Sequence, residues 1–182
     1  MANASSILIV AINPIDRALL QPLANPLTGT FRCRVEVTRD VPLDGSFAFN
    51  LSRNQYASTS LITSLLEKFE DFDGKILGVT AGDLFVPVLT YVFGEAQLEG
   101  KVAVVSSHRL RDEYYGLAPD ASLLNLRLVK ESTHELGHVF GLLHCNNYLC
   151  VMHSSTGVEE IDVKTNRLCS RCSELLFAKL NA

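Results

Sequence analysis

The chain has 182 residues, 47% apolar and 20% charged, which suits one packed core and excludes a disordered or collagen-like chain. Sixteen Lys and Arg against twenty Asp and Glu give a formal charge of -4, which argues against nucleic acid as a partner. The longest apolar stretches, Ile7 to Ile12 and Leu84 to Phe93, fall well short of the roughly 20 residues that span a bilayer, so no membrane segment is expected.

Met1 to Ser6 carries no Lys or Arg and does not resemble a signal peptide, so a cytoplasmic location is expected. Ser6 to Ile12 is a short β-rich run ended by Asn13-Pro14, and it predicts a strand followed by a helical stretch from Ile15 to Leu23. Phe31 to Thr38 alternates Cys33, Val35 and Val37 with Arg32, Arg34 and Glu36, the period of a strand with one wet face. Cys33, alone there, reads as a buried small hydrophobe. Leu61, Ile62, Leu65, Leu66 and Phe69 recur at helical spacing and predict a helix within Asn54 to Phe69, closed by Asp73-Gly74. Lys75 to Thr80 and Lys101 to Ser106 read as strands, the second as a sheet edge because Lys101 and Gly100 are typical of edges. Asp120 is a plausible N-cap for a long helix from Ala121 to Phe140 that stops at Gly141. Leu142 to Leu168 lacks periodicity, and Ser173 to Leu180 predicts a closing helix. No repeat or interdomain linker interrupts the chain, so a single domain is expected.

The chemistry concentrates in His134-Glu135-Leu136-Gly137-His138-Val139-Phe140-Gly141-Leu142-Leu143-His144. Residues four apart share a helix face, so His134 and His138 can offer two imidazoles to one zinc ion. Glu135 then lies beside the metal without ligating it, where it can take a proton from a zinc-activated water as general base. Gly141 can adopt the left-handed conformation that swings His144 back as third ligand, leaving one coordination position open. A chance H-E-x-x-H arises in roughly one such composition per hundred, but adding the later Gly and His lowers this to about one in a hundred thousand.

Four of the five cysteines, Cys145, Cys150, Cys169 and Cys172, crowd together with four, eighteen and two residues between them. That spacing suits a closed tetrahedral structural zinc better than disulfides or a redox pair. Cys145 follows His144 directly, so the second zinc would pin the loop that carries the third ligand. Met152, eight residues after His144, reads either as core filling or as a polarizable floor beneath the three-histidine site.

The string from His134 to Cys172 resembles the archaemetzincins, a branch of the metzincin zinc peptidases. It combines the elongated zinc motif, Cys directly after its last His, a second Cys with Met two residues later, and a distal C-x-x-C. Asn54 to Leu66, Gly78 to Gly94 and Val102 to Leu110 look like that family too. The resemblance implies an α+β (mixed α/β), zincin-like fold, with a twisted mixed sheet packed on helices and a zinc helix under the cleft. It implies one peptidase domain over residues 1–182, with an N-terminal subdomain over 1–141 and a C-terminal subdomain over 142–182 bearing the Met-turn and the four cysteines. It also implies zinc-dependent hydrolysis of peptides or proteins with two zinc ions: His134, His138 and His144 on the catalytic ion, Glu135 as base, the cysteines on the structural ion and Met152 in the Met-turn. A substrate would align along the edge strand Lys101 to Ser106.

Some metzincins carry Tyr two residues after the Met, where this chain has Ser154, so an electrophilic helper is sought among His153, Tyr114 and Tyr115. Three imidazoles also accept iron, cobalt or nickel. The competing reading is a catalytically silent, zinc-stapled module that binds protein or nucleic acid, disfavoured by the charge and by the carboxylate beside His134. A monomer acting without nucleic acid or membrane is expected.

Overall fold

The computed structural model describes residues 6–181, so the stretch read for a signal peptide lies outside them save for Ser6. Three central strands, β1 (Ser6–Asn13), β6 (Gly74–Thr80) and β9 (Val102–Ser106), run parallel and side by side. Each is a near-continuous apolar run because a parallel sheet is covered on both faces. Successive residues point to opposite faces, so Ile7, Ile9 and Ala11 join one core and Val10 and Ile12 another. The first core is closed by α1 (Ala24–Phe31), the long α3 (Ala121–Val139) and α5 (Ser170–Leu180), the second by α2 (Ser58–Lys68).

The sheet extends beyond β1 through β2 (Val35–Val37) and the two-residue β3 (Leu43–Asp44), both parallel to β1. On the other side β8 (Gly94–Ala96) pairs antiparallel with β9 and forms the edge. This corrects the sequence expectation, which placed the edge at Lys101 to Ser106. Val102 to Ser106 is buried on both sides between β6 and β8, while Lys101 turns its ammonium to the carbonyls of Phe69 and Glu70 at 2.7 and 2.8 Å. A small second sheet holds β4 (Phe49–Asn50), β5 (Gln55–Ala57) and β7 (Leu84–Phe85). The result is the mixed sheet on helices that the sequence led us to expect.

The helix expected over Ile15 to Leu23 is another difference. Arg17–Leu19 and Gln21–Leu23 form two short 3-10 turns, with Asp16 as cap through the Ala18 N–H at 3.0 Å, and the regular helix begins only at Ala24. Pro26 is tolerated there because it sits in the first turn, where no intrahelical donor is required. In consequence Phe31 ends α1, and the strand anticipated from it is reduced to Val35–Val37.

Helix α3 starts and stops as its local signals dictate. Asp120 accepts from the Leu123 N–H at 2.9 Å, and the chain leaves the helix through Gly141 at φ +85. Gly141 and Leu142 donate back to the carbonyls of His138 and Gly137, both at 2.8 Å, a pairing that satisfies the last turn and reverses the chain. From Leu142 to Leu168 the only helix is the six-residue α4 (Val158–Val163). Among the described residues, no helix is long and apolar enough to cross a membrane.

Candidate active site

The turn at Gly141 brings His144 back over α3, and one ring nitrogen from each of His134, His138 and His144 lies within 4.8 Å of the others. The Nδ1 atoms of His134 and His138 face the carbonyls of Val151 and Leu142 at 2.9 and 2.7 Å. A carbonyl can only accept, so both Nδ1 atoms carry the proton and both Nε2 atoms present lone pairs inward. Those Nε2 atoms stand 3.1 Å apart. Two lone pairs at that distance repel unless a cation lies between them, so the donor set fits a dication such as zinc. Burial, aided by the nearby Lys164 charge, holds all three imidazoles below the usual histidine range, and at neutral pH protons do not compete for the ligand positions.

Glu135 follows the first of these histidines and is 7% exposed. Burial pushes its carboxyl well above the usual range, Glu131 adds to this, and Lys164 opposes it. A dication beside it would favour the ionised form. Such a carboxyl, poised between charge states, has the property a proton carrier needs.

The site opens into a cleft of about 330 Å³. The chain from Leu89 to Gly94 forms one wall and Ser154 to Thr156 the other, with Glu131, His134, Glu135 and His144 between them. Tyr91 spans the walls by donating its hydroxyl to the Thr156 carbonyl at 2.6 Å. The Arg109 guanidinium lies 3.9 Å from the Tyr91 ring and grips Asp83 at 2.7 and 2.8 Å, tying this wall to the segment before β7.

Beneath the histidines, Met152 is fully buried, and a Cβ at Gly137 would collide with its Sδ. The thioether therefore lies against the bare backbone of α3 at Gly137, the residue directly before His138. The same tight turn, Cys150 to His153, is closed by the His153 N–H on the Cys150 carbonyl at 2.9 Å.

Cys150 also belongs to the second cluster. The sulfurs of Cys145, Cys150, Cys169 and Cys172 lie within 4.8 Å of one another, and all four are free thiols. Zn–S bonds of about 2.3 Å in a tetrahedron put sulfurs roughly 3.8 Å apart. The Cys145 and Cys169 sulfurs are 3.8 Å apart. Backbone N–H groups of Asn147 and Cys169 point at the sulfurs of Cys145 and Cys150, an arrangement that favours thiolates. The Cys172 backbone N–H lowers Cys169 to about 7, whereas burial raises Cys150 and Cys172. Cys33 stands apart, its thiol raised to about 11 by burial.

The structure thus brings together the three histidines of the zinc motif with the glutamate and the methionine, and gathers the four cysteines singled out in the sequence into one cluster. Tyr114, Tyr115 and His153 are not among the residues that line the cleft: the two tyrosine rings pack edge to face on each other, and the His153 ring lies 4.7 Å from that of Tyr148, tilted by 39°. Sequence reasoning missed Tyr91, Gly94 and Glu131, which line the cleft, and Lys164 beneath it. Glu131 had a legible signal, since it lies four residues before Glu135 on one helix face. Lys164 had none.

The Lys164 ammonium pairs with Glu131 at 2.8 Å, and their side chains are only 1% and 4% exposed. Removing one partner of a buried pair strands the other charge, so Lys164→Met is expected to cost about 3–5 kcal/mol, read as a lowered urea midpoint. An unchanged midpoint would show that the pair adds nothing to stability.

The sequence profile of peptidase family M54 matches residues 35–178. The archaemetzincin of Methanocaldococcus jannaschii is 39% identical over 177 residues, 97% of this chain and 95% of that protein. A solved zinc-dependent peptidase from Methanocorpusculum labreanum has a TM-score of 0.82 at 34% identity, covering 93% of this chain and 99% of its own. The structure of archaemetzincin from Archaeoglobus fulgidus, complexed with malonate, gives 0.80 at 36% identity with the same coverage, 93% and 99%.

Proposed function

The chain belongs to peptidase family M54 and is a zinc metallopeptidase acting on peptides or proteins, and from that premise we propose how its residues divide the work. His134, His138 and His144 hold the catalytic zinc, and Cys145, Cys150, Cys169 and Cys172 hold a second, structural one. The reading rests above all on the two inward Nε2 lone pairs 3.1 Å apart on one helix face, with a buried carboxylate beside them.

When bound in the histidine site, zinc supplies Lewis-acid activation of water and of the scissile carbonyl. Glu135 takes the proton of the attacking water onto its carboxylate and passes it to the leaving amine. The Val151 and Leu142 carbonyls keep the two helical imidazoles in the tautomer and orientation that ligation needs. Met152 fills the space under them as the Met-turn floor, so the rings cannot sink into the core. The outer edge of β8 continues the cleft wall, and an extended substrate pairs with it through main-chain hydrogen bonds. Residues 1–141 and 142–182 act as two subdomains of one peptidase domain, in a monomer that needs neither nucleic acid nor membrane.

Elemental analysis tests the division of ligands. The parent protein is expected to carry two zinc ions per chain and His138→Ala one, with activity lost. A variant that keeps both ions, or a parent that never binds more than one, would overturn the two-site reading.

A further inference from the structure

We propose that Gly94 is a positioning residue for Glu135: the missing side chain at Gly94 is the space that the Glu135 carboxyl occupies. This rests on the general-base reading above. A carbon at the Cβ position of Gly94 would sit 2.6 Å from Glu135 Cγ and 2.8 Å from both Cδ and Oε1. Non-bonded carbons settle at about 3.5–4.0 Å, so an alanine would push the carboxyl aside by roughly an ångström.

Nothing else at this position calls for glycine. Its φ is not in the left-handed region, unlike those of Gly116 and Gly141. Gly94 pairs regularly with Val105 across the β8–β9 ladder, an arrangement open to any residue and better served by a β-branched one. A glycine inside a strand loses more conformational freedom on folding and often marks close approach of another group. Here the approaching group is the carboxyl, and all three of the nearest atoms belong to Glu135.

The neighbouring contacts leave that wall little room to retreat. Ser106 donates its N–H to the Phe93 carbonyl at 2.8 Å, and Glu95 is held by the hydroxyls of Ser58 and Thr59 at 2.5 and 2.9 Å. Glu135 is therefore wedged between α3 and a fixed edge strand, and Gly94 sets how far its carboxylate reaches into the cleft.

The test combines kinetics with a stability cycle on the zinc-loaded protein. Gly94→Ala is expected to keep both zinc ions and a KM within about twofold of the parent, while kcat falls about 100-fold. With both zinc ions bound it lowers Tm by roughly 5 °C in the parent, but by less than about 1 °C when Glu135→Ala has emptied the space. This cycle also covers the case in which Gly94→Ala alone folds poorly. An equal loss of Tm in both backgrounds, or an unchanged kcat in Gly94→Ala while Glu135→Ala is inactive, would overturn the inference alone. Turnover retained by Glu135→Ala would overturn the general-base reading and the inference with it.

Discussion

Glu135→Gln is expected to lower kcat/KM by a factor of about 1,000 or more while both zinc ions stay bound. The amide keeps the shape of the side chain against Gly94 but cannot accept the proton of the attacking water. Burial already makes the ionised carboxylate costly at this position, so the neutral variant should be at least as stable as the parent. Steady-state kinetics on a peptide library, elemental analysis and thermal unfolding together check the prediction. A variant that hydrolyses peptides at the parental rate would remove Glu135 from the proton pathway.

Cys150→Ser carries the second large effect, because one turn serves both clusters. Cys150 contributes a sulfur, the Val151 carbonyl orients His134, and Met152 packs against Gly137 while its carbonyl accepts from the Cys145 N–H at 2.9 Å. The variant is expected to release the structural zinc and to loosen the segment from His144 to Cys172. Affinity for the catalytic zinc should then fall by about 10- to 100-fold, the usual consequence of losing support behind a ligand. Metal titration with a chelator of known affinity, alongside limited proteolysis, measures both. Full catalytic zinc and parental activity would mean that the two clusters are energetically separate.

Much of this arrangement could be read from local signals. Asp120 and Gly141 bracket α3 by capping chemistry alone, the i, i+4 spacing fixes which histidines share a face, and β1, β6 and β9 declare themselves as apolar runs. The edge strand was illegible because Gly94-Glu95-Ala96 contains no β-branched or aromatic residue and forms only by pairing with Val105, Val104 and Ala103. Lys101 then supplied an edge signal to the wrong strand, since its charge is answered by two carbonyls after α2 rather than by solvent. The start of α1 escaped for a related reason: Asn13-Pro14 read as the opening, whereas the regular helix forms only from Ala24, where Leu27 and Phe31 pack into the core under the sheet. Contacts between distant segments, such as Glu131 with Lys164 or Glu135 with Gly94, leave no periodicity in the chain and emerge only once the tertiary structure places them together.

The free edge of β8 along the cleft wall has a bearing on what can be digested. A helix about 10–12 Å across cannot be laid along a strand edge, and a residue already paired in another sheet has no free backbone groups to offer. On the proposed reading, intact proteins would be cut only as fast as they fray, whereas short or unravelled fragments would be cut at once. The enzyme would thereby judge its targets by conformational state before it reads any side chain.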